Sequence, residues 1–133
     1  MLFRSNLALV RDRGTGALTE KLLPKLLAPD AGDDLRATVR GLGAAQSREG
    51  VTFALAAMRD RPDRRALAAS LTCPALVVVG ARDEITPPAE MRALADSMRH
   101  ADFVELAGAG HLSALERPAD FNAAVAAFLR RGR

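Results

Sequence analysis

Cys73-Pro74-Ala75-Leu76-Val77-Val78-Val79-Gly80-Ala81-Arg82-Asp83 is a short apolar run, rich in valine and bounded by proline and glycine, that ends in a turn bearing a carboxylate. Such a run predicts a strand buried on both faces, as in parallel sheets. Downstream, Thr86 is placed to cap a helix, and Pro87-Pro88 suit a first turn whose N–H groups lack intrahelical partners. Met91, Leu94, Ala95 and Met98 then recur at i, i+3, i+4, i+7 and give this helix one apolar face. Phe103-Val104-Glu105-Leu106 supplies a second strand, which runs into Gly108-Ala109-Gly110-His111. The order predicts one βαβ unit with a right-handed crossover. Both turns then fall at the carboxyl edge of the sheet, where open α/β sheets bind ligands. Asp83 and His111, 28 positions apart in sequence, can meet there.

An acid and an imidazole delivered together have a definite use. A carboxylate that accepts the imidazole Nδ1–H fixes the tautomer and leaves Nε2 to take a proton from a nucleophile. The residues around the pair form the pattern Pro-x-Leu-Val-x-x-Gly-x-x-Asp-x-x-Thr-Pro, then a helix and strand, then Gly-x-Gly-His-x-x-x-x-Glu-x-Pro-x-x-Phe. Its carriers are Pro74, Leu76, Val77, Gly80, Asp83, Thr86, Pro87, Gly108, Gly110, His111, Glu116, Pro118 and Phe121. This pattern resembles the C-terminal part of the α/β-hydrolase superfamily. The resemblance implies an α/β fold: the C-terminal βαβ-α portion of a hydrolase, preceded by a helical cap region, with an incomplete parallel sheet. It also implies that Asp83 is the triad acid and His111 the triad base, acting on an ester, lactone or related small apolar acyl substrate, with no cofactor and no metal.

The same resemblance exposes a gap. The superfamily carries its nucleophile in a Gly-x-Ser-x-Gly elbow, in the order Ser, Asp, His. Upstream of Asp83 stand only Ser5, Ser47 and Ser70, none flanked by glycines at minus two and plus two, and Cys73 precedes its strand instead of following one. The expectation is a hydrolase part inactive by itself, complemented by an N-terminal half that carries nucleophile and oxyanion hole. The alternative is a nucleophile-free remnant that self-associates through the open edge of its incomplete sheet.

Residues 1–70 read as the helical cap and residues 71–133 as the portion carrying the acid and histidine turns. Ser5 is placed to cap a helix through Arg13 that Gly14 stops; Leu18 to Leu27 continues helical across Pro24; Asp33 or Asp34 caps a helix to about Ala45. Ser47 caps another through Met58, with Val51, Ala54, Leu55 and Met58 on one face. A short helix spans roughly Arg64 to Ala69, and a final one begins at Pro118 with Phe121, Val125, Phe128 and Leu129 inward. The leucine-rich cap and the phrase Ala57-Met58-Arg59-Asp60-Arg61-Pro62-Asp63 resemble carboxylesterase-like and enol-lactonase-like hydrolases. Glu116 is expected to hold the histidine loop by hydrogen bonds; Arg82 and Glu84 are expected at the surface, and His100 has no assigned role.

Composition sets the outer bounds. In 133 residues, 49% hydrophobic content supports a core, although aromatics are only 4%. The net charge of +3 is dispersed until Arg130-Arg131-Gly132-Arg133, where it complements a helix C-terminus and argues no nucleic-acid partner. A single cysteine excludes an internal disulfide and suits a reducing, cytoplasmic setting. No apolar run approaches the ~18 residues of a membrane span, and two histidines and one cysteine far apart argue against a zinc site.

Overall fold

The computed structural model of the protein describes residues 2–131. They fall into two compact units, one of residues 2–24 with 32–62 and one of residues 25–31 with 63–131.

The first unit is helical: α1 (Leu2–Arg13), most of α2 (Thr15–Leu26), α3 (Asp33–Ala44) and α4 (Arg48–Arg59). Its core is a small cluster of Val10, Leu18 and Leu55, against which Leu7, Leu9, Leu22 and Val51 pack. α1 ends at Gly14, whose N–H donates to the Val10 carbonyl at 3.0 Å, and the Arg48 guanidinium donates to the exposed Arg11 carbonyl at 2.9 Å. Buried Asn6 accepts from Lys21 Nζ at 2.7 Å, which satisfies its side-chain carbonyl. Ser47 caps α4, its Oγ accepting the Gly50 N–H at 3.0 Å.

Other start signals differ from the sequence reading. Ser5 lies inside α1, which already begins at Leu2. Gly32 caps α3 without a side-chain bond, so Asp33 and Asp34 act from the first turn, where their charge meets the positive end of the helix dipole. On α4 only Val51 and Leu55 join the core; Ala54 is exposed, Met58 is half exposed and Phe53 is 77% exposed.

The second unit holds α5 (Arg65–Ser70), β1 (Ala75–Gly80), α6 (Pro88–Ser97), β2 (Ala101–Leu106), α7 (Ser113–Glu116) and α8 (Pro118–Arg131). β1 and β2 pair in parallel, with Val77 opposite Phe103 and Val78 opposite Val104. α6 is the crossover; Ala95 is buried and Met91, Leu94 and Met98 are partly buried along its inner face. Both α6 and α8 pack on the two strands.

β1 is less buried than its apolar run implies. Only Val79 and Gly80 are buried and Ala75 to Val78 are half-buried, because a two-stranded sheet gives each strand a neighbour on one side only. On α8, Phe121, Val125 and Phe128 are partly buried, whereas Leu129 is 61% exposed. At about 100° per residue, Leu129 sits roughly 80° around the helix from Phe121, at the rim of the inward arc. Arg131 pairs with Asp102 at 2.9 Å, tying the basic end of α8 to the start of β2; Gly132 and Arg133 lie outside the described residues.

Candidate active site

The two turns that follow β1 and β2 are joined by backbone. The Ala81 N–H donates to the Leu106 carbonyl at 3.0 Å and the Arg82 N–H to the Ala109 carbonyl at 2.8 Å. This close approach requires Gly80, since a Cβ there would overlap the carbonyl oxygens of Ala109 and Gly110. Gly110 is constrained in turn: a Cβ on it would stand 2.7 Å from the Ala28 nitrogen and 2.8 Å from the Leu27 carbonyl carbon.

Glu116 holds this loop from behind. Its Oε2 accepts the Gly110 N–H and its Oε1 accepts the Ala28 N–H, both at 2.6 Å. The Leu112 N–H donates to the Leu26 carbonyl at 3.0 Å, and exposed Arg82 pairs with Asp30 at 2.6 Å. The segment 25–31 is thus bonded to both turns. Sequence reading anticipated the Gly110 side of Glu116; the Ala28 partner, 88 positions away, has no local signal.

On this frame Asp83 and His111 come together, with His111 Nδ1 2.9 Å from Asp83 Oδ2. The Asp83 side chain is 4% exposed and that of His111 32%. Asp83 Oδ1 accepts the N–H groups of Ile85 and Thr86 at 2.8 and 2.9 Å, and Oδ2 accepts the Thr86 hydroxyl at 2.6 Å. Burial pushes the Asp83 carboxyl up, but the Thr86 hydroxyl and N–H, His111 and the Ile85 N–H together outweigh it and hold the group below the usual carboxylate range. An ionised carboxylate only accepts hydrogen bonds, so a neutral His111 carries its proton on Nδ1 and presents an unprotonated Nε2. Such an imidazole is a proton acceptor poised for general-base work.

Thr86 departs from the role its sequence position suggests. It does not cap α6: the cap is Pro87, whose extended backbone (φ −58°, ψ 146°) follows from the proline after it, and the helix starts at Pro88. The freed hydroxyl turns back to Asp83. α7, directly after His111, has no counterpart in the sequence pattern, because four residues carry too little periodicity to register.

The family model of the alpha/beta hydrolases matches residues 2–124. The chain belongs to the alpha/beta hydrolase family. Among solved structures, this hydrolase-family chain is similar to a thermophilic esterase from Thermogutta terrifontis, at 33% identity and a TM-score of 0.93, covering 98% of this chain and 49% of that one. It is also similar to the enol-lactonase from Burkholderia xenovorans, at 30% identity and a TM-score of 0.88, covering 97% of this chain and 50% of that one. A pimeloyl-[acyl-carrier protein] methyl ester esterase from Chromobacterium violaceum is 38% identical over 102 residues, which are 77% of this chain and 40% of that protein. The chain therefore spans half or less of the length of these relatives. Among the described residues no helix is long and apolar enough to cross a membrane, and no three His, Cys, Asp or Glu side chains gather as metal ligands.

Proposed function

We propose that Asp83 and His111 are the acid and base of a hydrolase site for an ester, lactone or related small apolar acyl substrate. In this reading the nucleophile and oxyanion hole reside on polypeptide outside these 133 residues, residues 1–70 form the lid, residues 71–133 bring the acid and histidine, and the assembled enzyme works in the cytoplasm. The observation that carries it is the 2.9 Å contact between His111 Nδ1 and a carboxylate that is buried and met by three further donors. The esterases and enol-lactonase among the similar proteins support the substrate class.

In the reaction, His111 Nε2 takes the proton of the incoming nucleophile as that group bonds to the acyl carbon, and then returns it to the leaving oxygen. Asp83 keeps the imidazole oriented and offsets its positive charge. The test is a chimera in which this chain replaces the matching half of the Thermogutta terrifontis esterase. Hydrolysis of p-nitrophenyl acetate that falls at least a hundredfold on His111→Ala or Asp83→Asn is the expected result. A folded, active chimera indifferent to both changes would overturn the proposal, as would His111-dependent turnover by the 133-residue chain alone.

A second reading rests on the free edge of β1. The Ala75 and Ala81 N–H groups bond to His100 and Leu106 of the β2 side, so by alternation Leu76 and Val78 direct their N–H and C=O groups to the opposite edge. Among the described residues no strand covers that edge. Such an edge supports pairing either with the complementary hydrolase half or with a second copy. Light scattering of the isolated chain separates them: a dimer at micromolar concentration favours self-association.

A further inference from the structure

The Asp83 carboxylate has about four lone-pair directions, and each is taken. Two go to backbone N–H groups that any residue at positions 85 and 86 other than proline would supply. The other two are on Oδ2, where the Thr86 hydroxyl at 2.6 Å and His111 Nδ1 at 2.9 Å meet at one atom. The hydroxyl oxygen and Nδ1 are themselves 3.4 Å apart, so the two donors lie side by side on one oxygen. A hydroxyl has one proton to donate, and the shorter contact places it on Asp83.

Two consequences follow from this arrangement. With Oδ1 fixed by two N–H groups and Oδ2 by the hydroxyl, the carboxylate plane cannot swing away from the imidazole. With three donors besides the imidazole, Asp83 is also a poor competitor for the Nδ1 proton. We propose that Thr86 is a positioning residue for the acid: its hydroxyl pins Oδ2 in line with His111 Nδ1 and keeps the carboxylate ionised while the imidazole gains a proton. The proposal rests on the reading of Asp83 and His111 as acid and base. In proton terms, His111 gains one proton at Nε2 and keeps the one on Nδ1, and Asp83 gains none. Pro87 occupies the cap position of α6 with extended backbone, so Thr86 stands outside the helix, where both its N–H and its hydroxyl meet Asp83.

The test uses the whole chain with Thr86→Val, which keeps the shape and removes the hydroxyl, and Thr86→Ser, which keeps the hydroxyl. Carbon NMR of the Asp83 carboxyl over a pH series reads its proton affinity, and proton NMR reads the His111 Nδ1–H resonance. Loss of a hydrogen bond to a charged group is expected to raise the Asp83 proton affinity about tenfold in Thr86→Val and to move the Nδ1–H resonance. Thr86→Ser is expected to stay within about twofold of the parent, a rescue that a purely steric role of the threonine methyl would not produce. An unchanged titration in Thr86→Val, or a serine variant that moves as far as valine, overturns the proposal. Should the valine variant not fold, a slowly exchanging Thr86 hydroxyl proton in the parent chain is the required observation, and its absence overturns the proposal equally. These readouts concern the carboxylate and not turnover, so an inactive chimera and an idle Thr86 hydroxyl are separate results.

Discussion

Gly80 closes β1 so near to Gly110 that a single methyl group at position 80 would overlap the Gly110 carbonyl oxygen. The neighbour is backbone, which cannot rotate aside as a side chain can. The acid and histidine turns therefore depend on an atom that is absent.

Gly80→Ala is expected to separate the two turns. Overpacking against backbone costs about 1–3 kcal/mol, enough to lower the melting temperature by several degrees in a chain of this size. The Arg82 N–H to Ala109 bond lies directly at the collision, so the Nδ1–H resonance of His111 should broaden or vanish as the Asp83 contact loosens. A variant that melts with the parent and keeps that resonance would contradict the account of the junction.

Glu116→Ala removes the acceptor for two N–H groups at once, those of Gly110 and Ala28. Hydrogen bonds to a charged group contribute about 1.5–3 kcal/mol each and this pair shares one carboxylate, so a loss of about 2–4 kcal/mol is expected. Glu116→Gln keeps one oxygen acceptor and should fall between alanine and the parent. Urea unfolding with an unchanged slope and midpoints in that order is the result to look for.

Acid unfolding should carry the signature of Asp83. Its folded carboxyl is held below the ordinary value of 3.8, so near that pH the unfolded chain binds a proton that the folded chain refuses. The resulting stabilisation is complete above the unfolded value and is lost as pH falls through the folded one. Stability should thus drop on acidification below about pH 4, and Asp83→Asn, which cannot titrate, should flatten this part of the curve while lowering stability at neutral pH. Equal slopes for the two proteins in thermal melts between pH 2 and pH 5 would refute the assignment.

Ser47→Ala tests the helical unit separately. The Gly50 N–H loses its Oγ acceptor at the start of α4, at a cost of about 1 kcal/mol. Because Leu55 of α4 belongs to the Val10–Leu18 cluster, the change should be seen in the melt of that unit, with little effect on the Asp83 titration.

By itself the sequence determined the βαβ order, the face of α6 and the pairing of Asp83 with His111 at the ends of parallel strands. The elements rest on periodicity and on glycine and proline punctuation, which near neighbours decide, and the Asp83–His111 pairing on the βαβ order, which brings both strand ends to one edge, together with the motif around each residue. Tertiary structure alone decided the rest. The half-burial of β1 depends on how many strands flank it, which an apolar run does not state. Glu116 meets Ala28 across 88 positions, and Gly80 is confined by a loop 29 to 30 residues further on, so both depend on the path of the whole second unit. Thr86 shows the distinction within three residues: its position before two prolines reads as a helix cap, and the fold gives its hydroxyl to Asp83 instead. As a cap its oxygen would accept a backbone N–H of the helix, whereas in the fold its hydroxyl donates to Asp83 Oδ2 at 2.6 Å and Pro87 takes the cap position, an outcome only the tertiary geometry decides.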